Sequence, residues 1–162
     1  MRDLGDRVRE LVSRERFADA QVRRLGPGAV PHLIEVFQTA SGDLANRQRR
    51  KALHALGVLG TDQAVDFLIA TAENDATEGW LQRAAVRSLG PARQPRAVAY
   101  LTSLLEQPDL SLRDSAVMAL GHSDDPQATR ALQRAAASEP DERIRQRARR
   151  SLSETERRVR GQ

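Results

Sequence analysis

Few side chains in this sequence are suited to chemistry, and their spacing does not bring them together. The three histidines, His32, His54 and His122, lie in separate segments with no two inside one helical turn, so no imidazole pair is placed to ligate a metal. Cysteine is absent, which removes a thiol nucleophile, a disulfide framework and a Cys-based zinc site. Tyr100 and Ser103 share one helical segment but form no triad. There is no phosphate loop of the Gly-x-x-x-x-Gly-Lys type and no carboxylate pair in apolar surroundings. No catalytic residue, metal or cofactor is assigned, and an enzyme is the less favoured expectation.

Cations are abundant. Lys and Arg number 26 against 22 Asp and Glu, the net charge is +4, and Lys51 is the only lysine. Acids alternate with arginines over most of the chain. Like-signed runs occur from Arg47 to Lys51 and from Arg143 to Arg150, the latter followed by Arg157, Arg158 and Arg160. A solvated helical face is the first reading of each run. The second is a nucleic-acid footprint made by Arg143, Arg145, Arg147, Arg149, Arg150 and Arg158. The opening MRDLGDRVRELVSRERF is charged throughout, unlike a signal peptide. No apolar run approaches the roughly 18 residues of a membrane span. A soluble, cytoplasmic protein without a membrane partner is expected.

Whatever these side chains do, helices must position them. Hydrophobic residues make up 40% of the chain but aromatics only 3%, so the core is built from Leu, Ala, Val and Ile, which favours closely packed helices. The helices repeat. Ala55-Leu56-Gly57 recurs as Ser88-Leu89-Gly90 and Ala119-Leu120-Gly121, and decays to Ser151-Leu152-Ser153, at spacings of 33, 31 and 32 residues. Five positions earlier stand Ala52, Ala85, Ala116 and Ala148; eight earlier stand Arg49, Gln82, Arg113 and Arg145. Downstream, Ala64-Val65-x-x-Leu68 matches Ala29-Val30-x-x-Leu33, Ala97-Val98-x-x-Leu101 and Ala128-Thr129-x-x-Leu132. Several columns at one period mark a repeat array.

Each column has a mechanical reason. Alanine lets two helix axes approach, and leucine one turn later fills the seam. Gly57, Gly90 and Gly121 are expected to end the first helices, where the chain often adopts a positive φ that glycine tolerates. Thr61-Asp62, Gln94-Pro95 and Asp125-Pro126 then open the second helices.

The string Leu112-Arg113-x-x-Ala116-x-x-Ala119-Leu120-Gly121, followed by Ala128-x-x-x-Leu132, resembles the short HEAT-like repeat of the phycobilisome-lyase type. The consensus of that repeat reads roughly Val-Arg-x-x-Ala-x-x-Ala-Leu-Gly. The ankyrin Thr-Pro-Leu-His and tetratricopeptide Trp-x-x-Leu-Gly-x-x-Tyr patterns are absent. The likeness covers about residues 20 to 152. It implies an all-α fold, a right-handed α-solenoid of about four to five helical hairpins closed by capping helices. It also implies that Arg49, Arg113 and Arg145 form a structural ladder between repeats, and that the second helices line a concave surface. Metal-holding members of the HEAT superfamily use His-Glu pairs, and this chain has no His-Glu dipeptide. The related alkylpurine glycosylases need an aromatic-rich cleft, whereas Trp80 is alone and reads as core or edge packing.

The expected layout is one domain, 1–162, with an N-terminal cap helix at 1–15, four helix pairs over 16–140, and a C-terminal cap helix with a basic tail at 141–162. The pairs are placed at about 16–25/28–40, 44–57/62–74, 78–89/95–107 and 110–120/126–138. On the second helices, counted from the Ala-Val-x-x-Leu motif, the third position runs Pro31, Asp66, Ala99, Arg130. The fourth runs His32, Phe67, Tyr100, Ala131; one turn later come Glu35, Ala70, Ser103 and Arg134. If the valines and leucines face inward, His32, Glu35, Asp66, Phe67, Tyr100, Ser103, Arg130 and Arg134 project into a groove. Phe67 and Tyr100 read equally well as padding between helices. The favoured function is a scaffold or adaptor that binds a protein or peptide in the groove. The alternatives are nucleic-acid binding through the arginine-rich last helix, or an accessory lyase or small-molecule enzyme.

Overall fold

The computed structural model describes residues 3–161, and among them are ten α-helices and no strand. Residues 1, 2 and 162 of the expected caps lie outside the described residues. The helices are α1 (Leu4–Ser13), α2 (Asp19–Leu25), α3 (Val30–Thr39), α4 (Ala45–Leu59), α5 (Asp62–Glu73), α6 (Gly79–Ser88), α7 (Pro95–Leu104), α8 (Leu110–Leu120), α9 (Pro126–Ser138) and α10 (Glu142–Arg160). Single 3-10 turns span Pro27–Ala29 and Gly90–Ala92. The chain divides into two compact units, Met1–Ser88 with α1 to α6 and Leu89–Gln162 with α7 to α10.

The starts of the helices are written in their caps. Thr61 accepts from the Ala64 N–H at 3.2 Å to open α5. Asp109, Asp125 and Asp141 do the same for α8, α9 and α10 with carboxylates that accept from Ser111 and Leu112, from Gln127, and from Arg143 and Ile144. Pro95 and Pro126 occupy the first turns of α7 and α9, where an amide hydrogen has no helical partner to lose.

In the first unit, α4 packs against α3, α5 and α6, and its Ala52 and Leu56 are completely buried together with Val65 and Leu68 of α5 and Val30 and Leu33 near the start of α3. In the second unit, α8 and α9 both pack against α10, burying Ala116, Leu120, Ala128, Leu132, Ile144 and Ala148. The alanine and leucine columns are the core of each unit. Burial of such side chains contributes about 1.5–3 kcal/mol per large residue.

The glycine column has a different reason from the expected one. Gly57 lies inside α4, which runs on to Leu59 and stops at Gly60, a residue in the left-handed region with φ 58°. Gly121 has φ −64°, and Gly90 opens a 3-10 turn without a positive φ. What these positions share is crowding. A Cβ on Gly57 would lie 1.8 Å from the Ser88 carbonyl oxygen, one on Gly90 2.5 Å from that of Ala119, and one on Gly121 2.9 Å from the Ser151 side chain. In each case the contact is with the residue two places before the next member of the column. Glycine is required at Gly57 and Gly90 because backbone meets backbone, and at Gly121 because the Ser151 side chain stands close, not because a helix must stop.

The polar column works at helix ends. Arg49 donates to the carbonyls of Phe37 and Ala40 at 3.2 and 3.1 Å, at the end of α3. Gln82 donates to Asn74 at 2.9 Å, just after α5. Arg113 donates to Gln107 and Pro108, and Arg145 to the backbone of Glu139, just after α9. A helix leaves its last carbonyls without internal partners, and each of these donors reaches back from one hairpin to satisfy those of the hairpin before it.

Candidate binding groove

The expected groove residues belong to different surroundings in the two units. In the first, His32 of α3 stands 3.8 Å from Glu35 and packs on α1, where a Cβ on Gly5 would lie 3.1 Å from its Nδ1. Phe67 of α5 meets Phe37 edge-on at 5.4 Å between centroids, which makes it packing between α3 and α5. Asp66 is exposed on the same helix.

In the second unit, α7 and α9 flank an open depression of about 780 Å³. Its floor and walls carry Ala99 and Thr102 from α7 and Gln127, Arg130, Gln133, Arg134 and Ala137 from α9. Arg130 and Arg134, one turn apart on α9, both line it. Tyr100 and Ser103 are not among the lining residues, and the Ser103 hydroxyl donates to its own helix at Tyr100. The helical period explains the difference. The fourth position of the motif adjoins the buried leucine, so Tyr100 is half-buried and its counterpart Ala131 fully buried, whereas the third position, Ala99 and Arg130, faces out. Sequence reading passed over Thr102, Gln127, Gln133 and Ala137; Ala99 and Arg130 standing in one column was the available signal.

Of the six arginines of α10 expected as a nucleic-acid footprint, four meet groups of their own unit. Arg147 pairs with Asp114 of α8, Arg149 donates to Ala136, and Arg145 pairs with Glu142. Arg158 donates to Asp124 at 3.1 Å and to the Gly121 carbonyl at 3.1 Å. Arg143 and Arg150 are exposed. The interior of this unit holds a further pair: Arg113 donates twice to Glu139, at 3.0 and 3.3 Å, and Glu139 is 5% exposed.

The remaining reactive side chains are tied up singly. His54 Nε2 lies 2.9 Å from Asp19 Oδ1, linking α4 to α2, and His122 Nδ1 meets the Met118 carbonyl at 2.8 Å. Trp80 donates to Glu78. The Lys51 amine is buried over the Phe17 ring without a hydrogen-bond partner among the described residues. Burial first, then the nearby Arg47 and Arg50, push its pKa below the ordinary lysine value. Among the described residues no group of three His, Asp or Glu side chains could hold a metal ion, and no helix is long and apolar enough to cross a membrane.

Residues 75–153 match the family of HEAT repeats. That stretch carries HEAT repeats. Over 91% of its length the chain is similar to a chain in the solved complex of CpcE and CpcF of phycocyanin lyase from Nostoc sp. PCC7120, covering 96% of that chain with a TM-score of 0.59 and 21% sequence identity. At that identity the likeness concerns the fold, which is an α-solenoid. No curated protein matches the sequence.

Proposed function

We propose that this HEAT-like repeat protein is a cytoplasmic scaffold or adaptor that binds a segment of a partner protein between α7 and α9. The depression carries the reading. Its volume of about 780 Å³ falls within the roughly 300–1,000 Å³ of ordinary ligand clefts, small alanines leave its floor open, and long polar side chains surround it. Such an arrangement supports recognition by contact rather than by bond-making, since no acid–base or nucleophile pair lines it. The solved complex that the chain resembles is itself an assembly of protein subunits, which supports a protein partner. It also favours a second reading, a subunit of a lyase assembly, which predicts that a second subunit is required for function.

Nucleic-acid binding through α10 has less support, because Arg145, Arg147, Arg149 and Arg158 already meet groups of their own unit. The test is selection of a random-peptide display library on the wild-type protein, followed by binding to a variant with the groove filled, Ala99→Trp with Ala137→Trp. Loss of at least tenfold in affinity, with Gln63→Trp on α5 as an unaffected control, is expected. Enrichment of no peptide, or of peptides indifferent to the filled groove, would overturn the reading.

A further inference from the structure

The groove has a charge as well as a shape. Neither α7 nor α9 contains an aspartate or glutamate, although the chain has 22 acids and intersperses them with its arginines elsewhere. In the same unit Arg113, Arg145, Arg147 and Arg158 each meet a carboxylate. Arg130 and Arg134 do not: both are exposed, and neither has an acidic partner among the described residues. They stand one helical turn apart on one face, where like charges oppose each other. The amides of Gln127 and Gln133 add donors beside them.

On the far side of Arg130 and Gln133 a second depression, about 510 Å³, continues toward α10. There Asp124 and Glu156 line the wall together with Arg160, so on that side acids accompany the arginines, whereas the α7 side has none. A guanidinium that is always charged and free of an internal partner is best satisfied by a carboxylate, which it can take through two parallel hydrogen bonds.

We infer, resting on the groove reading above, that the segment recognised between α7 and α9 is acidic. Two Asp or Glu side chains take Arg130 and Arg134, and small neighbouring side chains sit over Ala99 and Ala137. Arginines one turn apart lie about 5–6 Å from each other at Cβ. That spacing suits acids on alternate residues of an extended segment, or one turn apart on a helical one.

The test uses two probes, a peptide of alternating Glu and Ala and a single-stranded oligothymidylate, each titrated by fluorescence anisotropy against wild type, Arg130→Gln/Arg134→Gln and Arg130→Glu/Arg134→Glu. The Glu-Ala peptide is expected to bind wild type, to weaken at least tenfold on the neutral variant, and to be replaced on the reversed variant by a Lys-Ala peptide. Circular dichroism is expected to be unchanged, since both side chains are exposed. Library peptides that depend on the groove but are neutral or basic would overturn the acidic segment while leaving the groove reading in place. A library with no groove-dependent peptide would overturn both. Oligothymidylate binding that requires Arg130 and Arg134, without binding of the Glu-Ala peptide, would overturn the proposal in favour of nucleic acid.

Discussion

Gly57 of α4 lies so close to Ser88 of α6 that a Cβ added to it would stand 1.8 Å from the Ser88 carbonyl oxygen. Relief of that contact requires the two helices to move apart, because the obstructing atom is backbone. Gly57→Ala is therefore expected to cost about 3 kcal/mol or more, at the upper end for overpacking. Gly28→Ala adds a Cβ that meets only Leu4, at 3.4 Å, and is expected to stay within about 0.5 kcal/mol of wild type. Urea denaturation of the two variants makes the comparison, and equal stabilities would contradict the close approach.

The buried pair in the second unit behaves differently from the surface pairs. Glu139 accepts two bonds from Arg113 and one from the Asp141 amide at 3.1 Å, so its removal leaves the Nε and Nη2 of a largely buried guanidinium and a backbone N–H without those partners. Glu139→Ala is expected to cost about 3 kcal/mol. Glu10→Ala, which breaks an exposed pair with Arg14, should change stability by no more than about 0.5 kcal/mol. Thermal unfolding of both variants checks the contrast.

Arg49 satisfies two terminal carbonyls of α3 with its forked donors, at Phe37 and Ala40. Arg49→Met keeps most of the stem but not the bonds, and an expected loss of about 1–2 kcal/mol follows. Amide hydrogen exchange should then be faster at the α3–α4 junction than around α6. Uniform protection would count against the role.

Lys51 has an amine without a hydrogen-bond partner, held over Phe17 with its pKa pushed below the ordinary lysine value of 10.5. The unfolded chain thus binds more protons than the folded one between the lowered pKa and 10.5. Stability must rise with pH across that window, and its contribution is lost as pH falls through the folded-state pKa. Lys51→Met should equal or exceed wild type in stability at pH 7, and its advantage should shrink as the pH approaches 10.5. Denaturation of the pair at neutral and alkaline pH reads the difference; an advantage that grows with pH would be the wrong sign.

The core was legible in the sequence because every repeat asks the same thing of the same position. Ala52, Ala85, Ala116 and Ala148 each face a neighbouring helix, and all four are buried. The glycine column was visible for a reason that sequence could not separate from another: a helix stop and a backbone contact both call for glycine. Only Gly60 proves to be a stop of the left-handed kind in α4. The Arg113–Glu139 pair was hidden because Glu139 has no equivalent in the other copies and lies 26 residues away. The groove was half legible. Arg130 and Arg134 stand out in their columns, while Ala99 and Ala137 read as helix filler although their smallness opens the space between α7 and α9.

The most direct measurement places a photo-cross-linking residue, p-benzoylphenylalanine, at Gln133 in the groove or at Gln63 on α5, and maps by mass spectrometry where the alternating Glu-Ala peptide attaches. Adducts at position 133, abolished by Arg130→Gln/Arg134→Gln and absent at position 63, are the predicted result. Equal labelling at the two positions, or labelling at 63 alone, would contradict a binding face between α7 and α9.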